Sequence, residues 1–241
     1  MKNHAVNETA ADDFARRRAK YAPVAAALAQ LYGTPQWRAG WPPLDELVSC
    51  ILSQNTTDTN RDRAFDALKA RYPTWQDVVD APPDELIETV RVAGLANQKG
   101  PRIQKVLRRI QAERGAFEID FLADLPLDEA RAWLTNLDGV GPKTAAIVLC
   151  FAFNRPAFPV DTHVHRVGQR IGLLPQGISA ERAHDVMEAV VPPADHYAFH
   201  INLIQHGRAV CKARSPQCAR CPITAHCDYF AQSAGSRHDS A

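Results

Sequence analysis

The chain has 241 residues, 46% hydrophobic and 23% charged, with a formal net charge of +1 and six cysteines. That length holds a sizeable core, as one large domain or two small ones. Its longest apolar stretch, near 145–153, is far short of a bilayer crossing, and residues 1–13 are too mixed in charge for an export signal. A membrane-spanning or secreted protein is therefore not expected, and cysteines without a sign of export point to a reducing, cytoplasmic setting.

In chain order the periodicity predicts helices almost throughout. Leu44, Leu47, Val48, Ile51 and Leu52 form one stripe after the Pro42-Pro43 entry signal, and Ala64, Phe65 and Leu68 mark a second helix capped by Thr57 or Asp58. Thr74 caps a short helix, and another follows over 84–90. Ile103, Val106, Leu107 and Ile110 stripe a segment whose basic residues (Lys99, Arg102, Lys105, Arg108, Arg109, Arg114) are expected on the opposite face. Pro126 opens a helix through Leu137, a Gly139-Val140-Gly141 turn leads into 142–153, and further helices are expected over 161–172, 180–191 and 195–210. Tails at 1–13 and 231–241 are polar and expected to be loose. No strand alternation or internal repeat is visible, so the fold class is all-α.

Near the end stand Cys211-x6-Cys218-x2-Cys221-x5-Cys227, four thiols in one short window. Short loops cost little closure entropy, so the four can converge on one centre. Disulfides do not suit this chain, and zinc usually takes two short Cys-x-x-Cys knuckles where this run has one. The spacing favours an iron–sulfur cluster over zinc. Upstream, Leu137-Asp138-Gly139-Val140-Gly141-Pro142-Lys143 reads as a tight turn between helices: glycines admit close backbone, and proline suits the first helical position. N–H groups at such a helix start form an anion site. Asp161 before Thr162-His163 reads as an N-cap.

The cysteine run, the Leu137–Ala145 hairpin and the Val160-Asp161-Thr162-His163 segment, in this order, resemble the endonuclease III family of DNA repair glycosylases over roughly 40–230. The resemblance implies a two-domain helix–hairpin–helix glycosylase fold. A six-helix barrel domain would span 40–154, an iron–sulfur cluster domain 14–39 with 155–230, and DNA would lie in the cleft between them. It also implies a bifunctional N-glycosylase/AP lyase acting, as a monomer, on double-stranded DNA with a damaged base or abasic site, oxidised pyrimidines above all. Runner-up readings are a glycosylase for mismatched thymine or modified cytosine, and a weakly active relative that binds abasic or distorted DNA.

By the same resemblance Lys143 is the nucleophile, its pKa lowered by partial burial and the helix dipole, and Asp161 is the catalytic carboxylate. Cys211, Cys218, Cys221 and Cys227 hold a [4Fe–4S] cluster whose neighbours Arg214 and Arg220 can meet phosphates. Gly139 and Gly141 bind a DNA phosphate, while Gln54 and Leu95 fill the hole left by a flipped nucleotide. Three positions depart from the family pattern: Asp138 stands where proline is common, Ala96 where tyrosine is, and Thr135 where pyrimidine-type relatives carry glutamate in the base pocket. Thr135 and His163 are the expected pocket residues here. The other histidines between hairpin and cluster (His165, His184, His196, His200, His206) are expected as core or surface fillers.

Overall fold

The structure, a computed structural model, describes residues 2–235, with side chains over 12–233. Among the described residues all regular structure is helical. The chain forms two compact units, Met1–Arg38 with Pro156–Ala241, and Ala39–Arg155. Helix α1 (Lys2–Tyr32) opens the first unit, so the segment expected as a loose tail over 1–13 is helical from Lys2. The last part of the other expected tail, from residue 236, lies outside the described residues.

The Ala39–Arg155 unit contains α2 (Pro43–Ser53), α3 (Asp58–Arg71), α4 (Trp75–Asp80), α5 (Pro83–Thr89), α6 (Ala96–Arg114), α7 (Leu127–Thr135) and α8 (Pro142–Ile147). Its starts follow local chemistry. Pro43 sits at the head of α2, Thr57 accepts the Asn60 N–H at α3, and Thr74 with Asp77 makes a reciprocal capping box at α4. Leu47, Val48, Ile51 and Leu52 of α2 are fully buried, as are Ile103, Leu107 and Ile110 of α6. Each such side chain contributes about 1.5–3 kcal/mol by leaving water.

Two features of this unit depart from the periodicity. The helix expected over 142–153 changes at Val148–Ala152 into a wider π turn, and the Arg155 N–H closes back on the Leu149 carbonyl at 2.9 Å. Lys99, expected among the exposed charges of α6, is instead 1% exposed. Gln104 is buried too, and its amide donates to the Val78 and Ala81 carbonyls at 3.0 and 2.9 Å, satisfying the open end of α4.

The other unit joins α1 to α9 (Thr162–Ile171), α10 (Ala180–Val190), α11 (His196–Ala209) and α12 (Asp228–Gly235). Tyr21, Val24 and Leu28 of α1 enter one core with Val164 and Val167 of α9, Met187 of α10, and Phe199 and Leu203 of α11. Cys211, Cys221 and Cys227 pack against that core. Arg17 donates to the Gly172 carbonyl at 3.0 Å and Lys20 to that of Ile171 at 3.0 Å, so α1 supplies cations to the carbonyl end of α9. Lys20 also pairs with Asp228, at the start of α12. No helix among the described residues is long and apolar enough to cross a membrane.

Candidate functional site

Within the Ala39–Arg155 unit, the α7–α8 turn is shaped by one glycine and left open by the other. Gly139 has φ 71°, and a Cβ there would strike the Arg102 guanidinium. Gly141 is extended (φ −94°), and a Cβ would meet nothing within 4 Å, so the space before α8 is clear. Pro142 begins α8 and Lys143 follows it. Thr144, Ala145 and Ala146 are buried and fix the helix, while Lys143 itself is exposed. That corrects the expected partial burial of this lysine: the free protein leaves the amine in water, at the helix end whose dipole favours anions.

Gln54 reaches this turn. Its amide nitrogen donates to the Gly139 carbonyl at 3.0 Å, and its oxygen accepts from Arg102 Nη1 at 3.1 Å. Arg102 thus ties together the hairpin, the loop after α2, and α6. Asp138, the acidic departure beside the turn, faces Lys105 at 3.5 Å, so a cation offsets its charge. Leu95 caps α6 in the left-handed region (φ 51°) and is 47% exposed. Left-handed backbone is uncommon for a residue of this size. Thr135 is half-buried, and its hydroxyl lies 3.0 Å from the Arg131 carbonyl and 3.1 Å from that of Ala132. Its proton is turned back into α7.

In the other unit Asp161 is the N-cap of α9, its Oδ1 accepting the Val164 N–H at 2.7 Å. The segment leading to it is buried at Ala157, Phe158 and Val160 and is gripped by side chains. Glu188 accepts the Phe158 N–H at 2.9 Å, while His184 and His200 donate through Nδ1 to the Phe158 and Pro159 carbonyls, each at 2.9 Å. These contacts assign the Nδ1–H form to both rings. Two histidines expected as fillers therefore hold the backbone ahead of Asp161. Their separations of 26 and 41 residues from their partners left no local signal. His163 accepts from Arg166 through Nδ1 at 3.1 Å. Because Asn can also accept the capping bond, Asp161→Asn is expected to leave the melting free energy nearly unchanged, whereas Asp161→Ala lowers it by about 1 kcal/mol. Chemical denaturation of the two variants checks this.

Cys211, Cys218, Cys221 and Cys227 are free, partly buried, and line one cavity together with Ile223 and Tyr229. Among the described residues no three His, Cys, Asp or Glu side chains are close enough to hold a single metal ion. Four thiols around one cavity are the donor set that an iron–sulfur core takes. Burial, and then the neighbouring thiols, push the Cys221 and Cys227 thiols up. Arg170 of α9 donates to the Cys211 sulfur at 3.3 Å and to the Lys212 and Ala213 carbonyls at 2.7 and 3.0 Å. Burial lowers His206 to about 4, and this neutral ring lies 3.5 Å from the Cys221 sulfur. Lys212, Arg214 and Arg220 are exposed along the same loop.

Residues 48–193 match the HhH-GPD superfamily of base excision DNA repair proteins, and 211–227 match the iron–sulfur binding domain of endonuclease III. The endonuclease III of Thermotoga maritima is 32% identical over 188 residues, 78% of this chain and 84% of that protein. That of Bacillus subtilis is 35% identical over 185 residues, 77% and 80%. A DNA-glycosylase-like protein of Arabidopsis thaliana is 38% identical over 167 residues, and the match spans 56% of its length. Among solved structures, a trapped endonuclease III–DNA covalent intermediate superimposes with a TM-score of 0.77 at 29% identity, covering 90% of this chain and 98% of that one. A thermostable thymine-DNA glycosylase, at 22% identity and a TM-score of 0.74 over 90% and 97%, shares the fold.

Proposed function

The chain belongs to the HhH-GPD superfamily of base excision DNA repair proteins and within it to the endonuclease III family, and from that premise we propose a bifunctional DNA N-glycosylase/AP lyase acting on oxidised pyrimidines in duplex DNA. A [4Fe–4S] cluster of the endonuclease III kind is its cofactor, and the four cysteines are its proposed ligands. The carrying observation is Lys143, exposed in the first turn of α8 immediately after the open Gly139–Gly141 turn. An arginine there would serve only as a cation. A lysine can lose its proton and attack.

In the reaction proposed, the Lys143 amine forms a bond to C1′ of the damaged nucleotide while the base leaves with the glycosidic electron pair and takes up a proton. Sugar-ring opening gives a protonated imine. Loss of the C2′ proton then expels the 3′ phosphate, cutting the strand, and water releases the lysine. Asp161, fixed by its cap, offsets positive charge on the sugar and assists deprotonation of Lys143. Gln54 and Leu95 occupy the space of the extruded nucleotide. Backbone of the hairpin and the exposed Arg214 and Arg220 meet phosphates without reading sequence. Thr135 and His163 are the proposed residues of the base pocket. The cluster supplies the scaffold of its loop. The proposed setting is the cytoplasm, with the monomer on chromosomal DNA.

Cleavage of a duplex panel tests this reading: thymine glycol, dihydrouracil, a T:G mismatch, 5-methylcytosine and an abasic site. Cutting of the two oxidised pyrimidines is expected. Gln54→Ala with Leu95→Ala should slow it roughly 10- to 100-fold, since two hole-filling groups are lost together. Cutting confined to the mismatch or to 5-methylcytosine would move the substrate class. Binding without any cutting would leave a DNA-binding relative.

A further inference from the structure

Lys99 is a buried cation that the reaction above does not use. It is 1% exposed, and its ammonium donates to the Leu52 carbonyl at 2.8 Å and the Ala93 carbonyl at 2.7 Å. No carboxylate forms an ion pair with it among the described residues. Those two carbonyls belong to separate elements, the last turn of α2 and the short helical turn Arg91–Ala93, which lead into the loops of Gln54 and Leu95. Each lies two residues ahead of a side chain assigned to probe DNA, Leu52 before Gln54 and Ala93 before Leu95.

Both loops hold backbone that needs such support. Asn55, next to Gln54, has φ 53°, and Leu95 has φ 51°. Non-glycine residues keep this left-handed conformation only where their surroundings over-determine it. The Leu95 carbonyl accepts the N–H groups of Gln98 and Lys99, each at 2.9 Å, so Lys99 secures the Leu95 turn through its backbone as well as its side chain. One turn along α6, Arg102 holds the Gln54 amide. A methionine would fill the same space without the cost of burying a charge, which burial itself disfavours at this lysine. What the ammonium adds is a simultaneous bond to the backbone just ahead of both loops.

We propose that Lys99 is a positioning residue that couples the Gln54 loop to the Leu95 loop, so that the two side chains enter the duplex as one element. This rests on the reading that Gln54 and Leu95 fill the hole left by the flipped nucleotide.

The test uses the holoenzyme and a duplex with 2-aminopurine opposite thymine glycol. Fluorescence reports unstacking of the orphaned base, and product formation reports excision. Lys99→Met is expected to slow both by roughly 10- to 100-fold, because the carbonyls ahead of the two loops lose their shared donor. In a Gln54→Ala/Leu95→Ala background the same substitution should cost less than about threefold, since the coupled groups are gone. Rates for Lys99→Met within about threefold of wild type overturn the proposal. So does a full multiplicative loss in the stripped background, which would mark a core staple acting on stability alone. Should Lys99→Met not fold, Lys99→Leu, which likewise lacks a donor, is read by the same two comparisons; failure of both to fold would mark a core staple and overturn the proposal. A wild type that excises no damaged base defeats the proposed function instead. Unchanged rates in Gln54→Ala/Leu95→Ala defeat the hole-filling assignment.

Discussion

Lys143→Ala is expected to bind an abasic duplex yet lose strand cleavage and borohydride capture by at least about four orders of magnitude, the scale on which removal of an enzyme nucleophile acts. The side chain is exposed in the first turn of α8, where alanine is well tolerated, so little stability should be lost. Lys143→Arg sharpens the result. It keeps a cation at the helix start, and with it any phosphate contact, but guanidinium does not deprotonate to attack carbon. If Lys143 served only as a cation, Lys143→Arg would retain most of the activity. If it is the nucleophile, both variants are inactive and both still shift DNA in a gel.

The second large effect is expected at the cysteines. Cys227→Ala should abolish the visible absorption of the iron–sulfur centre and destabilise the unit of α1 and α9–α12 by several kcal/mol, because binding energy of such a centre is folding energy. The physical reason lies in the packing. Cys211, Cys221 and Cys227 abut the core built by Tyr21, Val24, Leu28 and Phe199. Helix α12 begins at the next residue, Asp228, which pairs with Arg16 and Lys20 of α1. Loss of one ligand therefore loosens a loop on which α1 and α12 both depend. Calorimetry of the iron-loaded wild type and the variant reads this directly. Equal melting, with iron absent from the variant, would make the centre dispensable to the fold.

Much of the helical order was legible because its causes are local. The α2 stripe, the Thr57 and Thr74 caps and the Pro142 start all lie within a few residues of what they determine. Asp161 as an N-cap was legible for the same reason. Burial was harder. Lys99 stands four residues before Ile103 and hence on the apolar stripe of α6, a signal that its charge obscured. Its carbonyl partners, at the end of α2 and in the short turn Arg91–Ala93, are contacts between elements that helix periodicity does not predict. The motif around Lys143 identifies its place in the chain but carries no information on exposure, and the expected partial burial is absent. The grip of His184, His200 and Glu188 on Phe158 and Pro159 joins α10 and α11 to a stretch with no regular structure, and no spacing rule reaches that far.

The measurement that bears most directly on the proposed chemistry is borohydride trapping of the iron-loaded wild type on a thymine-glycol duplex, followed by mass spectrometry of the peptide carrying the adduct. A reduced sugar–lysine adduct confined to Lys143 is the expected result. An adduct on another amine, or efficient excision with no adduct at all, would contradict a Lys143 nucleophile.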